Sequence, residues 1–330
     1  MLNAENRRLK RVLPAAFSLL AALATTLASA PAAAQGYPNK PITVVVPFAA
    51  GSGTDIACRV FNKGAEDDLK ATMIIDNRPG GAATVGVGYV TRAAPDGYTL
   101  LCLGGGSVSK TFRKDLEFDL LSDLTPVVQV TRGSMYLIVK ADLPVRNAQE
   151  FVEFMRKNPG KYNYGSIAST QMMAMEVLKD KTGIQMTHIP YKSLGQVTQS
   201  MLSGDTVAYV SNQTGLEAQF TAGKLKFLAV LDNERNPFTP DVPTAPEAGI
   251  AGVMAPYTQG FWAPAKTPGE IIGRLNAAFN ASLKTQAVID YLKIQSARPT
   301  GGSARVQLDS VRAEQAYWAE AARISKFQPE

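Results

Sequence analysis

The chain has 330 residues, of which 45% are hydrophobic and 19% are charged, a composition typical of globular proteins that excludes wholesale disorder. The formal net charge is +6, but the basic residues are dispersed among acidic ones and form no run interleaved with aromatics, so we expect no nucleic acid as a partner. One histidine, His188, and two well-separated cysteines cannot build an ordinary zinc site, and we expect neither a metal nor a cofactor.

The N-terminus carries the pattern of an export signal. Basic residues between Arg7 and Arg11 precede a short apolar stretch at 12–27, and Ala32-Ala33-Ala34 then fits the small-residue cleavage pattern. The apolar stretch is shorter than the roughly 20 residues that a membrane-spanning helix needs. We therefore expect a cleaved signal peptide over residues 1–34 and an exported mature protein.

Strand and helix patterns alternate in the first part of the mature chain. Predicted strands at 42–48, 71–77 and 98–105 alternate with predicted helices at 55–69 and 80–93. This order predicts a parallel sheet with helices covering both of its faces.

A second α/β unit follows in the middle of the chain. Residues 126–144 are predicted to form two strands in succession, and a proline-rich connection at 236–249 leads to three helical stretches. Between them the predicted helices are 147–157, 170–183, 194–203 and 214–223, and the predicted strands are 162–166, 186–191, 206–211 and 225–231. Two such units joined by more than one connection place a cleft between them, where small molecules usually bind.

The two cysteines fall in different predicted elements. Cys58 lies in the helix predicted at 55–69, and Cys102 lies in the buried strand predicted at 98–105. The compartment of an exported protein would permit a disulfide. We nevertheless expect two inert buried thiols rather than a bond.

The densest chemical signal is the glycine-rich turn Phe48–Asp55 between a buried strand and a helix. Its small residues let a ligand approach backbone N–H groups that lack partners inside the helix, and the helix dipole favours an anion there. Ser52 and Thr54 add hydroxyl donors, whereas Asp55 is expected to cap the helix or fix the loop. Similar small polar stretches follow other strands, at 103–109, 164–170 and 210–214.

Two enzymatic interpretations compete with simple binding. Gly51 and Gly53 supply the first two glycines of a dinucleotide-binding turn, but Ile56 occupies the third position, where close helix packing needs Gly or Ala. No G-x-S-x-G nucleophile motif is present. Ser166 and His188 could still form the centre of an exported hydrolase that uses the same cleft.

Five segments occur in an order that resembles a known family. They are YPNKPITVVVPFAAGSGTD, IIDNRPGGAATVGVGYVTRAAPDGYTLL, IPYKS, PDVPTAPEAG and FWAPAKTPGEIIGRLN. This order resembles that of the tripartite tricarboxylate transporter receptors, also called Bug proteins, over essentially the whole mature chain.

The resemblance implies an α/β protein with the type II periplasmic-binding-protein fold, in which two domains joined by a hinge close on a small carboxylate. The first domain would comprise residues 35–135 and 250–330, and the second would comprise residues 136–249. Such a receptor would bind a dicarboxylate, a tricarboxylate or an aromatic carboxylate in the periplasm, as a monomer without catalytic activity. It would deliver the ligand to membrane permease subunits of the transporter or to a sensor protein.

The resemblance also implies which residues hold the ligand. They are Phe48, Ala49, Gly51, Ser52, Gly53, Thr54 and Asp55 in the first loop, Gly105, Gly106 and Ser107 after the third strand, Tyr164, Gly165, Ser166, Ala168, Ser169 and Thr170 in the second loop, and Tyr191, Ser211 and Asn212 beyond it. The chain departs from the family pattern at Ser52, Ala168, Gln171-Met172 and Asn212. The family often carries Asp near Asn212, and the loss of that carboxylate argues against an amino-acid ligand.

Overall fold

A computed structural model describes residues 36–104, 108–212 and 215–329. The predicted signal peptide therefore lies outside the described residues. Among the helices in these ranges, none is long and apolar enough to cross a membrane.

Two mixed β-sheets form the framework of the described residues. The strands are β1 (Ile42–Val46), β2 (Met73–Asn77), β3 (Thr99–Leu103), β4 (Leu124–Ser134), β5 (Tyr136–Lys140), β6 (Asn163–Ser166), β7 (Thr187–Pro190), β8 (Ala208–Ser211), β9 (Leu225–Val230), β10 (Pro256–Pro264) and β11 (Arg298–Pro299). The first sheet has the order β11-β4-β10-β3-β1-β2, and the second has the order β7-β6-β8-β5-β9.

The helices lie between and over these strands. They are α1 (Gly53–Leu69), α2 (Thr84–Thr91), α3 (Leu120–Asp123), α4 (Ala148–Lys157), α5 (Ser169–Thr182), α6 (Leu194–Ser203), α7 (Glu217–Thr221), α8 (Gly269–Ser282), α9 (Gln286–Ile294) and α10 (Ala304–Ser325). A 3-10 turn, Gly81–Ala83, leads into α2. The ends of most elements lie within a few residues of the predicted ones.

The first sheet is parallel only in part. Strand β1 pairs parallel with both β2 and β3. Val44 and Val45 point to opposite faces of the sheet and are both fully buried, so both faces are covered as predicted. The expectation of a wholly parallel sheet is wrong, because the chain returns from the second sheet as β10, which runs antiparallel to β3 and β4.

Two connections join the two sheets and lie side by side. The chain crosses once at Met135, leaves the second sheet at Leu231, and re-enters the first sheet after Ala255. The N–H of Met135 donates to the Ala255 carbonyl at 2.9 Å, that of Ala255 to Leu231 at 3.0 Å, and that of Leu231 to Met135 at 2.8 Å. Both crossings therefore share one narrow hydrogen-bonded region, which we call the hinge region because rotation there would move one sheet relative to the other.

The C-terminal helix α10 packs on both sheets. Val311 lies in an apolar cluster of the first sheet together with Val45 and Trp262. Trp318 and Ala321, further along the same helix, belong to the apolar cluster of the second sheet. Helix α10 therefore joins the two sheets in addition to the hinge region.

Cys58 and Cys102 form a disulfide, with their Cα atoms 6.2 Å apart. The expectation of two free buried thiols is therefore wrong. Helix α1 packs directly on β3, and this packing brings a cysteine in the second turn of the helix against one in the strand. The bond fastens the helix that follows the glycine-rich turn to the middle of the first sheet.

Candidate functional site

A cavity of about 470 Å³ lies between the two sheets. The residues described around it are all uncharged, and most of them carry a hydroxyl or an amide. Within the described ranges, no group of three or more His, Cys, Asp or Glu side chains is arranged to hold a metal ion. A charged ligand in this cavity would be stabilised by backbone and side-chain dipoles rather than by Lys or Arg.

The glycine-rich turn places the N-terminus of α1 at the cavity. Ser52 caps the helix from an extended backbone (φ −68°, ψ 158°), and its Oγ accepts the N–H of Asp55 at 3.3 Å. Gly53 and Thr54 are the first two helical residues, and their N–H groups have no acceptor among the described residues. Together with the helix dipole, these two open donors suit one carboxylate group.

The carboxylate of Asp55 holds the turn in this shape. Its Oδ2 accepts the Gly51 N–H at 2.8 Å and Arg59 Nε–H at 3.0 Å, and its Oδ1 accepts Asn77 Nδ2–H at 2.9 Å. The same Asn77 amide donates to the Phe48 carbonyl at 3.1 Å. Burial would raise the pKa of Asp55, but these hydrogen bonds outweigh burial and the pKa lies below its ordinary value. Asp55 therefore fixes the loop, as expected from the sequence.

Replacing Asp55 should weaken both the turn and the fold. In Asp55→Ala the Gly51 N–H and the Asn77 amide lose the carboxylate that accepts their partly buried hydrogen bonds, which costs about 1–3 kcal/mol of unfolding free energy. Asp55→Asn retains one acceptor oxygen and should lose less. Urea unfolding of both variants measures the effect, and an Asp55→Ala protein with the wild-type midpoint would show that the carboxylate does not hold the turn.

The second predicted loop is placed differently from the first. Tyr164 is fully buried in the apolar cluster of the second sheet, and its hydroxyl donates to Glu176 at 2.5 Å. The Ser166 carbonyl accepts the N–H of Tyr191 at 2.8 Å, and the Tyr191 hydroxyl is hydrogen-bonded to Ser200. These residues pack within the interior around the second sheet instead of lining the cavity.

The structure brings part of the predicted set to the cavity. Phe48, Ser52, Gly53, Thr54 and Asn212 line it. Ala49, Gly51 and Asp55 belong to the first turn without lining the cavity, and Tyr164, Gly165, Ser166, Ala168, Ser169, Thr170, Tyr191 and Ser211 do not line it either. Gly105, Gly106 and Ser107 lie outside the described residues. Contact of any of these residues with a ligand stays a prediction.

Most of the other residues that line the cavity were not predicted from the sequence. These other lining residues are Leu103, Gly104, Thr131, Ile167, Gln171, Tyr257, Thr258, Gln259, Tyr291, Gln295 and Ala297. Strand β10 carried a usable signal, because the polar residues Thr258 and Gln259 directly precede its fully buried stretch. Tyr291 carried none, since α9 reaches the cavity only by packing against α1.

Ser166 and His188 are hydrogen-bonded, with Oγ 2.8 Å from Nε2. Burial lowers the pKa of His188, so the ring is neutral near pH 7 and could accept the serine proton. Within the described residues, however, no carboxylate is hydrogen-bonded to the ring, and Ser166 is only 4% exposed. The pair has the chemistry of a nucleophile and base, but Ser166 is buried, His188 is half-buried, and neither lines the cavity.

Comparison with known proteins identifies the family. Residues 57–320 match the model of the tripartite tricarboxylate transporter family receptor, TctC. The chain belongs to this receptor family. A UPF0065 protein of Bordetella pertussis is 32% identical to this receptor over 86% of the chain and 90% of its own length.

Solved structures show the same architecture. The periplasmic binding protein BugD has a TM-score of 0.75 and 27% identity, over 89% of this chain and 100% of its own. Rpa4515 of R. palustris with adipate has a TM-score of 0.79 and 29% identity, over 89% of this chain and 100% of its own. MatC of Rhodopseudomonas palustris with bound malate has a TM-score of 0.73 and 27% identity, over 86% of this chain and 99% of its own. The expected α/β fold of the type II periplasmic-binding-protein class is confirmed.

Proposed function

We propose that this receptor captures a small organic carboxylate in the cavity between its sheets. The observation that carries the proposal is the pair of open N–H groups, of Gly53 and Thr54, where α1 meets the cavity. The ligands named for two similar structures, adipate and malate, are both carboxylates, which supports the same chemical class for this chain.

Backbone donors suit a receptor that must release its ligand. Charge-assisted hydrogen bonds from N–H groups, strengthened by the helix dipole, bind a carboxylate. No Lys or Arg among the described lining residues adds a full opposite charge, so the interaction stays moderate. The hydroxyls of Ser52 and Thr54 stand beside these donors and add further hydrogen bonds.

Closure about the hinge region would complete the site and exclude water. The moving parts would be a first domain of residues 35–135 and 250–330 and a second domain of residues 136–249, because Met135 and Ala255 in the hinge region lie at or near the ends of these ranges. Thr131, Thr258 and Gln259 on one side and Ile167, Gln171 and Asn212 on the other then enclose the bound acid.

The receptor would act in the periplasm after removal of the signal peptide. It would work as a monomer without catalytic activity and pass its ligand to permease subunits of a tripartite tricarboxylate-type transporter or to a sensor protein. The candidate ligands are dicarboxylates, tricarboxylates and aromatic carboxylates.

A thermal-shift screen of the mature protein tests the proposal. It compares monocarboxylic, dicarboxylic, tricarboxylic and aromatic acids with their neutral amides, because an amide has the same size without the charge. At least one acid should raise the melting temperature by several degrees while its amide does not. Stabilisation by sugars or polyamines, with no effect of any acid, would refute carboxylate capture.

A hydrolase remains the second candidate, because the Ser166 hydroxyl is hydrogen-bonded to His188. Replacing His188 by Asn separates the two functions. A hydrolase should lose ester turnover in His188→Asn, whereas a receptor should keep most of its affinity for the acid found in the screen.

A further inference from the structure

The side chain of Gln171 accepts hydrogen bonds from two backbone N–H groups in the turn before α5. Gln171 is the third residue of α5, is 8% exposed, and lines the cavity. Its Oε1 accepts the Ile167 N–H at 2.8 Å and the Ala168 N–H at 3.2 Å. Its Nε2 donates to the Tyr209 hydroxyl at 3.0 Å, which orients the amide. One glutamine oxygen thus occupies the place that a ligand oxygen would take on these two N–H groups.

The turn before α1 and the turn before α5, of which only Ile167 lines the cavity, therefore differ in what they offer an anion. At α1 the N–H groups of Gly53 and Thr54 are open. At α5 the N–H groups of Ile167 and Ala168 are taken by Gln171. The N–H groups of Ser169 and Thr170 have no acceptor among the described residues, but these two residues do not line the cavity.

Several other donors that line the cavity already have acceptors. The Thr131 hydroxyl donates to the Arg298 carbonyl at 2.8 Å, and the Thr258 hydroxyl donates to Glu314 at 2.8 Å. Asn212 is hydrogen-bonded to Tyr257. A second carboxylate placed away from α1 would lose its hydration and find few donors in return, which is costly for a charged group.

We infer that Gln171 is a specificity-determining residue that makes this receptor select acids with one carboxylate over acids with two. The inference rests on the proposed carboxylate capture and narrows its ligand class to aromatic or other monocarboxylates. The single carboxylate binds at α1, and the body of the acid lies against apolar lining residues such as Phe48, Leu103 and Ile167.

Titration calorimetry with matched acid pairs tests the inference. The pairs are hexanoate with adipate and benzoate with terephthalate, at pH 8, where every carboxyl is ionised. The wild-type receptor should bind the better monoacid at least tenfold more tightly than its diacid. Gln171→Ala opens the Ile167 and Ala168 donors and should reduce that preference at least fivefold, mainly by improving diacid binding.

Gln171→Glu is the matched control. Its carboxylate oxygens still accept the two loop N–H groups, and the added charge should raise the preference for the monoacid further. A wild-type receptor that binds the diacid as well as the monoacid overturns the inference, even if Gln171→Ala fails to fold. An unchanged preference in a folded Gln171→Ala does the same. If no acid binds at all, carboxylate capture itself fails, and the inference falls with it.

Discussion

Loss of the disulfide between Cys58 and Cys102 is expected to lower the free energy of unfolding by about 4 kcal/mol. The cysteines are 44 residues apart in the chain. Closing a loop of this length raises the free energy of the unfolded chain by roughly 4 kcal/mol, because the closed loop has less conformational entropy. The bond also lies under the cavity, where the Gln259 amide is 3.5 Å from Cys58 Sγ and 3.4 Å from the Thr54 carbonyl.

Urea unfolding of the oxidised and the reduced mature protein measures this effect. The double variant Cys58→Ala with Cys102→Ala should unfold like the reduced protein and should not respond to reductant. If the oxidised and reduced proteins unfold at the same urea concentration, the disulfide does not contribute about 4 kcal/mol to the free energy of unfolding.

Glu314 is expected to make the fold less stable as pH rises. It lies on α10, and burial raises its pKa to about 7 from 4.5, although hydrogen bonds from Thr258 and Trp318 partly oppose the shift. Between these two pKa values the folded state holds a proton that the unfolded chain has lost, so stability falls as pH rises from about 4.5 to about 7. The shift corresponds to about 3 kcal/mol, lost in full above pH 7.

Glu314→Gln replaces the titrating carboxyl with an amide of the same size that does not bind or release a proton in this pH range. The variant should be about as stable as wild type at pH 4.5 and more stable by up to about 3 kcal/mol at pH 8. The other titrating groups are the same in both proteins, so the difference between their urea unfolding free energies isolates Glu314. If the unfolding free energies of Glu314→Gln and wild type differed by the same amount at pH 4.5 and pH 8, Glu314 would not be a neutral buried carboxyl in the folded protein.

The order of helices and strands could be predicted from the sequence, because the pattern of apolar residues that marks each element lies within that element's own residues. The run Ile42–Val46 is apolar except for Thr43 and forms a largely buried strand inside the first sheet. The start of α1 was placed two residues late, since Gly53 and Thr54 are poor helix formers by propensity. Ser52 overrides that weakness by capping the helix.

The glycine-rich turn could be identified as part of the site because small residues between a strand and a helix have one main physical use. Gln171 and Tyr291 could not be identified, because their roles depend on the orientation of a side chain and on long-range packing. The disulfide was missed for the same reason, since no spacing rule shows that α1 lies directly over β3.

Calorimetric titration of Gly53→Pro and Gly53→Ala tests the capture of a carboxylate by open N–H groups most directly. Proline removes the N–H of Gly53 and is well accepted at the first position of a helix, and the extended backbone of Ser52 is compatible with a following proline. A Cβ at Gly53 meets no atom within 4 Å, so Gly53→Ala keeps the donor and controls for added bulk. Gly53→Pro should bind the acid about 10- to 100-fold more weakly with an unchanged melting temperature of the free protein, while Gly53→Ala stays near wild type. Equal affinities of Gly53→Pro and Gly53→Ala would contradict the account.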